Sequence, residues 1–106
     1  MNIRYKNRVQ FKAPSLPPTI EFDPSAMAWY VRFRNAKVAK TISPESSGPI
    51  CAIDLDAKNE VIGVELIGVP EFRISEFRAI PGLDTSKVDF EKARFLSASS
   101  REPVPA

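Results

Sequence analysis

The chain has 106 residues, a net charge of +2, one cysteine and no histidine. That length makes one domain and not two. Without histidine the chain lacks the commonest general acid/base and metal ligand, so Ser–His and Cys–His nucleophile pairs and an ordinary tetrahedral zinc site are excluded within it, and one cysteine excludes an internal disulfide framework.

Residues 1–18 read as a basic, proline-containing extension. Arg4, Lys6, Arg8 and Lys12 lie in a stretch without an acid. Such a stretch suits an arm for nucleic acid or another anion, but four spaced charges make a weak electrostatic footprint and read first as a solvated leader. Ile3-Arg4-Tyr5 and Val9-Gln10-Phe11 alternate briefly, enough for an added edge strand. Lys12 to Pro18 is stiffened by Pro14, Pro17 and Pro18, because proline fixes φ and donates no backbone hydrogen bond. The N-terminus lacks the apolar stretch of a signal peptide, and no segment has the length of a membrane span. A cytoplasmic protein without membrane contact is the expectation.

Residues 19–96 read as a single β-rich domain. Ile20-Glu21-Phe22 alternates at the strand period, and Asp23-Pro24-Ser25-Ala26 supplies turn chemistry. From Ala28 to Arg34, Trp29, Val31 and Phe33 share one face, while Tyr30, Arg32 and Arg34 share the other, the pattern of a half-buried strand. Val38 to Ile42 carries Lys40 on its apolar face, which an edge position tolerates. Ile50 to Leu55 and Val61 to Ile67 are apolar on both faces and belong in the middle of a sheet, with a turn at Asp56-Ala57-Lys58-Asn59. Each face then needs a cover: the C-terminal segment for one, the N-terminal arm or a second copy for the other.

Past Gly68 the periodicity is mixed. Ile74, Phe77 and Ile80 are spaced for a helix, Phe72 and Ile74 for a strand, and Pro81-Gly82 ends the segment. Asp84-Thr85-Ser86 offers a helix cap before residues 87–96, where Val88-Asp89-Phe90 fits a strand nearly as well. Residues 97–106 read as a disordered tail. The expected fold is α+β: a small antiparallel β-meander of four to five strands, in chain order as hairpins, with one or two short C-terminal helices. The small core and two-sided strands predict a homodimer.

Five stretches together resemble a small prokaryotic family of unknown function, DUF2283, over residues 20–67. They are Phe22-Asp23-Pro24-Ser25-Ala26, Trp29-Tyr30-Val31-Arg32-Phe33, Lys37-Val38-Ala39, Asp54-Leu55-Asp56, and Val61-Ile62-Gly63-Val64-Glu65. The sequence departs from that pattern in having Asn59 where a glycine usually follows the aspartates. The resemblance implies a compact β-rich domain and carries no activity or functional residue. Its suggestion of an antitoxin or partner-binding role comes only from small toxin-like neighbours of some members.

Several clusters invite a chemical reading. Asp54, Asp56, Lys58, Asn59 and Glu65 are spaced like a calcium loop, but a cation stands where an oxygen ligand is needed and strands flank the loop, so a hairpin turn is expected. Asp54 and Asp56 as an acid/base pair would need a substrate cleft that so small a sheet rarely builds. Phe22, Trp29, Phe33, Phe72 and Phe77 read as core. Cys51, inside an apolar run, reads as a buried inert thiol. Tyr30, Arg32 and Arg34 are the candidate binding residues, since an aromatic ring with guanidinium groups on one strand face could stack on bases or bind phosphates. No metal, cofactor or catalysis is expected. The leading expectation is a non-catalytic protein-interaction module, antitoxin-like in character. The alternative is a nucleic-acid-binding protein using the basic arm and the Tyr30/Arg32/Arg34 face.

Overall fold

The structure, a computed structural model, describes residues 11–44 and 50–97. Expectations for Arg4, Lys6, Arg8, most of the loop from Pro44 to Pro49 and the tail beyond Ser97 lie outside these residues. In chain order the strands are β1 (Phe11–Lys12), β2 (Thr19–Asp23), β3 (Ala28–Arg32), β4 (Lys40–Ile42), β5 (Ile50–Leu55) and β6 (Val61–Ile67). After them come the helix α1 (Ile74–Arg78), β7 (Leu83–Asp84), a 3-10 turn at Phe90–Lys92 and β8 (Arg94–Ser97).

Six strands form one sheet in the order β4-β5-β6-β3-β2-β8, and β1 pairs with β7 separately. The expected strands and one short helix are present, but the sheet has six strands rather than four to five, and two further features of the meander are corrected. β8 runs parallel to β2, so the sheet is mixed. The chain order also breaks: β3 pairs with β6 and not with β4. The reason lies in burial. β6 is buried along most of its length and takes a neighbour on each side, whereas β4, with exposed Lys40 and Thr41, suits an edge. The connection after β3 therefore travels past the strand ends: the amides of Phe33 and Arg34 donate to the Ile62 carbonyl (2.8 and 3.3 Å) and that of Ala39 to the Leu55 carbonyl (2.8 Å).

Both tight turns follow from local side chains. Between β2 and β3, Asp23 Oδ1 accepts from the Ser25 amide at 3.1 Å and from its hydroxyl at 2.7 Å. Between β5 and β6, Asp56 Oδ1 accepts from the Lys58 and Glu60 amides, each at 2.9 Å. Asn59 there takes a left-handed φ of 63°. Asparagine tolerates that conformation, so it can replace the glycine of the resembled pattern.

One face of the sheet is the core. Ile42, Ile53, Val64, Val31 and Ile20 form a continuous row across five strands, with Cys51, Leu66, Trp29 and Phe22 in the next row. Ala13, Val69, Phe77, Ile80, Leu83 and Val88 from outside the sheet pack on this face. Phe77 is completely buried and meets Phe33, Phe72 and Phe90 at ring separations of 5.5–6.4 Å. Burying each such side chain contributes on the order of 1.5–3 kcal/mol. The C-terminal segment is thus one cover, as its apolar positions imply. The expected cover for the second face is corrected: the described part of the extension adds to this same core, through buried Ala13 and the β1–β7 pairing, and the other face carries polar side chains.

Candidate functional site: the polar face of the sheet

The other face follows from the same register. Residues opposite one another in a ladder point to the same side. One row reads Ile50, Ile67, Ala28, Asp23; the next Ala52, Glu65, Tyr30, Glu21, Leu96; the third Thr41, Asp54, Gly63, Arg32, Thr19, Arg94. The described elements outside the sheet pack their apolar residues on the opposite side.

Tyr30 organises the centre of this face. Its ring lies across Gly63 of β6, and a Cβ built on that glycine would fall 2.4–2.5 Å from the Tyr30 hydroxyl and ring carbons. The missing side chain lets the phenol reach over a whole strand and donate to Asp54 Oδ2 of β5 at 2.8 Å. Thr41 Oγ1 of β4 donates to Asp54 Oδ1 at 2.6 Å, so this one carboxylate ties β5 to both β3 and β4. Burial, then the hydrogen bond and negative charge of Asp54, push the Tyr30 phenol well above its ordinary pKa. It is not poised to act as a base near neutral pH.

Arg32 sits over the Tyr30 ring, its guanidinium carbon 4.8 Å from the centroid, and its Nε donates to Glu21 at 3.1 Å. Arg34 lies beyond the end of β3 and turns away to the β5–β6 turn, where Nη2 donates to Asp56 at 2.9 Å and Nε to the Val61 carbonyl at 3.4 Å. The structure therefore brings Tyr30 and Arg32 together and separates Arg34 from them. Both guanidinium groups already hold a carboxylate.

The other candidates are placed equally firmly. Asp54 and Asp56 do not converge: one holds Tyr30 and Thr41, the other the turn and Arg34. The Glu60 amide, followed by Arg34 and the Lys58 amide, lowers the Asp56 pKa. Glu65 lies on the polar face next to Tyr30, away from the turn. No group of metal-binding side chains occurs among the described residues. Trp29, Phe33, Phe72 and Phe77 belong to the packed core, and Phe22 lies against Trp29 with ring centroids 4.3 Å apart. Cys51 is buried, and its surroundings raise the thiol pKa. No helix among the described residues is long and apolar enough to cross a membrane.

A hollow of about 200 Å³ on the polar face is lined by Glu21, Phe22, Asp23, Ala28, Tyr30, Arg32 and Glu65. Reading strands one at a time misses its acidic character. Hairpin arithmetic holds the signal: a turn that pairs Asp23 with Ala28 must also pair Glu21 with Tyr30 and Thr19 with Arg32. Glu21 is thereby set beside Arg32 on the same face. No protein-family model, curated protein or solved structure matches the chain.

Proposed function

We propose that the chain is a non-catalytic protein-interaction module that presents its polar sheet face to a cationic partner segment. The charge on that face carries the reading. Its rows hold the carboxylates of Asp23, Glu21, Glu65 and Asp54 against the guanidinium groups of Arg32 and Arg94, an acidic balance on a chain whose net charge is +2. Ile50 and Ile67, 67% and 36% exposed, add an apolar border at one end. A Lys- or Arg-bearing strand or loop with apolar neighbours complements such a surface. A phosphate backbone does not, because Arg32 and Arg34 are already neutralised by Glu21 and Asp56. The role is antitoxin-like in the sense of a small chain that works by occupying a partner, and the resemblance over residues 20–67 is compatible with it.

The test is a fluorescence-anisotropy titration of the full chain with three labelled probes. These are a peptide alternating Lys and Leu, its Glu/Leu counterpart, and a single-stranded oligonucleotide. The Lys/Leu peptide is expected to bind, about tenfold more weakly after Glu65→Lys and with little change after Arg34→Ala. Preference for the oligonucleotide, with binding lost in Arg32→Ala and Arg34→Ala and falling steeply with salt, would establish the nucleic-acid alternative instead.

A further inference from the structure

The sheet ends in two unlike edges. β4 is short and carries exposed Lys40, a charge that discourages another strand from docking. β8 has neither proline nor lysine in Arg94–Ser97, and its outer side pairs with no strand among the described residues. At its centre Phe95 is 60% exposed, second only to Ile50 among the large apolar side chains of the described residues. Phe95 lies in the core-face row beside Ile20, with its ring 6.4 Å from Phe72. The aromatic cluster therefore runs out to this edge, where no described residue covers it.

We propose that β8 is a self-association edge, on which a second copy docks its own β8 antiparallel about a two-fold axis centred on Phe95. Three observations select that arrangement. The Arg94 amide donates inward to the Pro18 carbonyl at 3.0 Å. In a parallel pair the inward-bonding residues alternate, so the N–H and C=O of Phe95 point outward. Two outward-facing Phe95 residues can exchange both hydrogen bonds across the axis. Second, a slip of one residue would set the apolar face of one copy beside the polar face of the other, and the side-chain period of two forbids it. Third, this register sets each Arg94 opposite Leu96 of the other copy, whereas centring on Arg94 would oppose two like charges.

The pairing continues the core row as Ile20, Phe95, Phe95, Ile20 through both copies. The contact joins two four-residue strands and is small beside the roughly 1,200 Å² of a stable interface. Association is therefore reversible and concentration-dependent. It goes beyond the proposed partner-binding role and does not depend on it, because it uses an edge and leaves the polar face free.

The test is sedimentation equilibrium of the full chain from micromolar to millimolar concentration, without any peptide. The wild type is expected to pass from monomer to dimer. Leu96→Lys places a cation beside Glu21 of its own sheet, so the fold tolerates it, but opposite Arg94 of the second copy. It should weaken association at least tenfold, with an unchanged circular-dichroism spectrum. Adding Arg94→Glu to that variant should restore dimerisation, because the new carboxylate of one copy then faces the new ammonium group of the other. A wild type that stays monomeric at millimolar concentration overturns the proposal. So does a dimer unaffected by Leu96→Lys, or one that the added Arg94→Glu does not restore, since either places the contact elsewhere.

Discussion

The two faces of the six-stranded sheet are built on opposite principles. The covered face is held by bulk: Phe77, Ile20, Ile53, Leu55, Val31 and Val64 are all at or near zero exposure, and aromatic rings from three regions of the chain interlock over it. The polar face is held by reach. Tyr30 crosses Gly63 to Asp54, Arg32 crosses to Glu21, and Thr41 meets Asp54 from the far side. Removing volume should damage the first face, and adding it should damage the second. Polar groups that stay half-exposed while bonded can also be offered to a partner, which a close-packed apolar face cannot do.

The strongest way to break this comparison is Phe77→Ala, which leaves a cavity among Phe33, Phe72 and Phe90 and should destabilise the fold by about 3–5 kcal/mol. Urea denaturation would read it as a lower midpoint with an unchanged slope. Next comes Gly63→Ala, expected to destabilise by about 1–3 kcal/mol through overpacking beneath the Tyr30 ring. In a Tyr30→Ser background most of that penalty should vanish, and a double-mutant cycle measures the difference. Tyr30→Phe keeps the ring and loses the Asp54 bond, so about 1 kcal/mol is expected, again from urea midpoints. Arg32→Ala should lie within about 1 kcal/mol of wild type, because its ion pair is partly solvated. A loss as large as that of Phe77→Ala would show that the polar face is a second core.

The smallest effects concern pH. The folded-state pKa of Asp56 is depressed, so its contribution is present above the unfolded carboxylate value of about 3.9 and is lost as pH falls through the folded value. Asp84, depressed chiefly by the Ser86 amide, adds in the same direction. Tyr30 acts with the opposite sign. Its folded pKa is raised, so its contribution is complete below the free phenol value of about 10 and declines as pH rises above it. Stability measured across pH should fall in acid below about 4 and in base above about 10, and Tyr30→Phe should blunt only the alkaline limb.

Much of this was legible without coordinates. Alternation located β2 and β3 and assigned Trp29, Val31 and Phe33 to one side of the strand, because a period of two is a local property, and unbroken apolar runs located β5 and β6. The turns at Asp23-Pro24 and Asp56 to Asn59 were equally local, since Asp side chains bond backbone amides two to four residues on. Tyr30 and Arg32 were legible in the same way as the opposite side of that strand, whereas the departure of Arg34 toward the β5–β6 turn was not. The partners of Tyr30 and Arg34 were hidden, because Asp54 and Asp56 reach them only through strands distant in sequence, whereas the β2–β3 hairpin register is enough to set Glu21 beside Arg32.

Composition and pattern by themselves determined that this chain makes a small sheet, and that an internal disulfide and nucleophile pairs built on its own histidine are excluded. Only the tertiary structure decided that β6 lies beside β3, that β8 returns parallel to β2, and that both arginines of the trio are already neutralised. Strand order and cross-strand charge are settled by competition for burial among segments distant in sequence. No short window along the chain contains both members of the Tyr30–Asp54 or the Arg34–Asp56 pair.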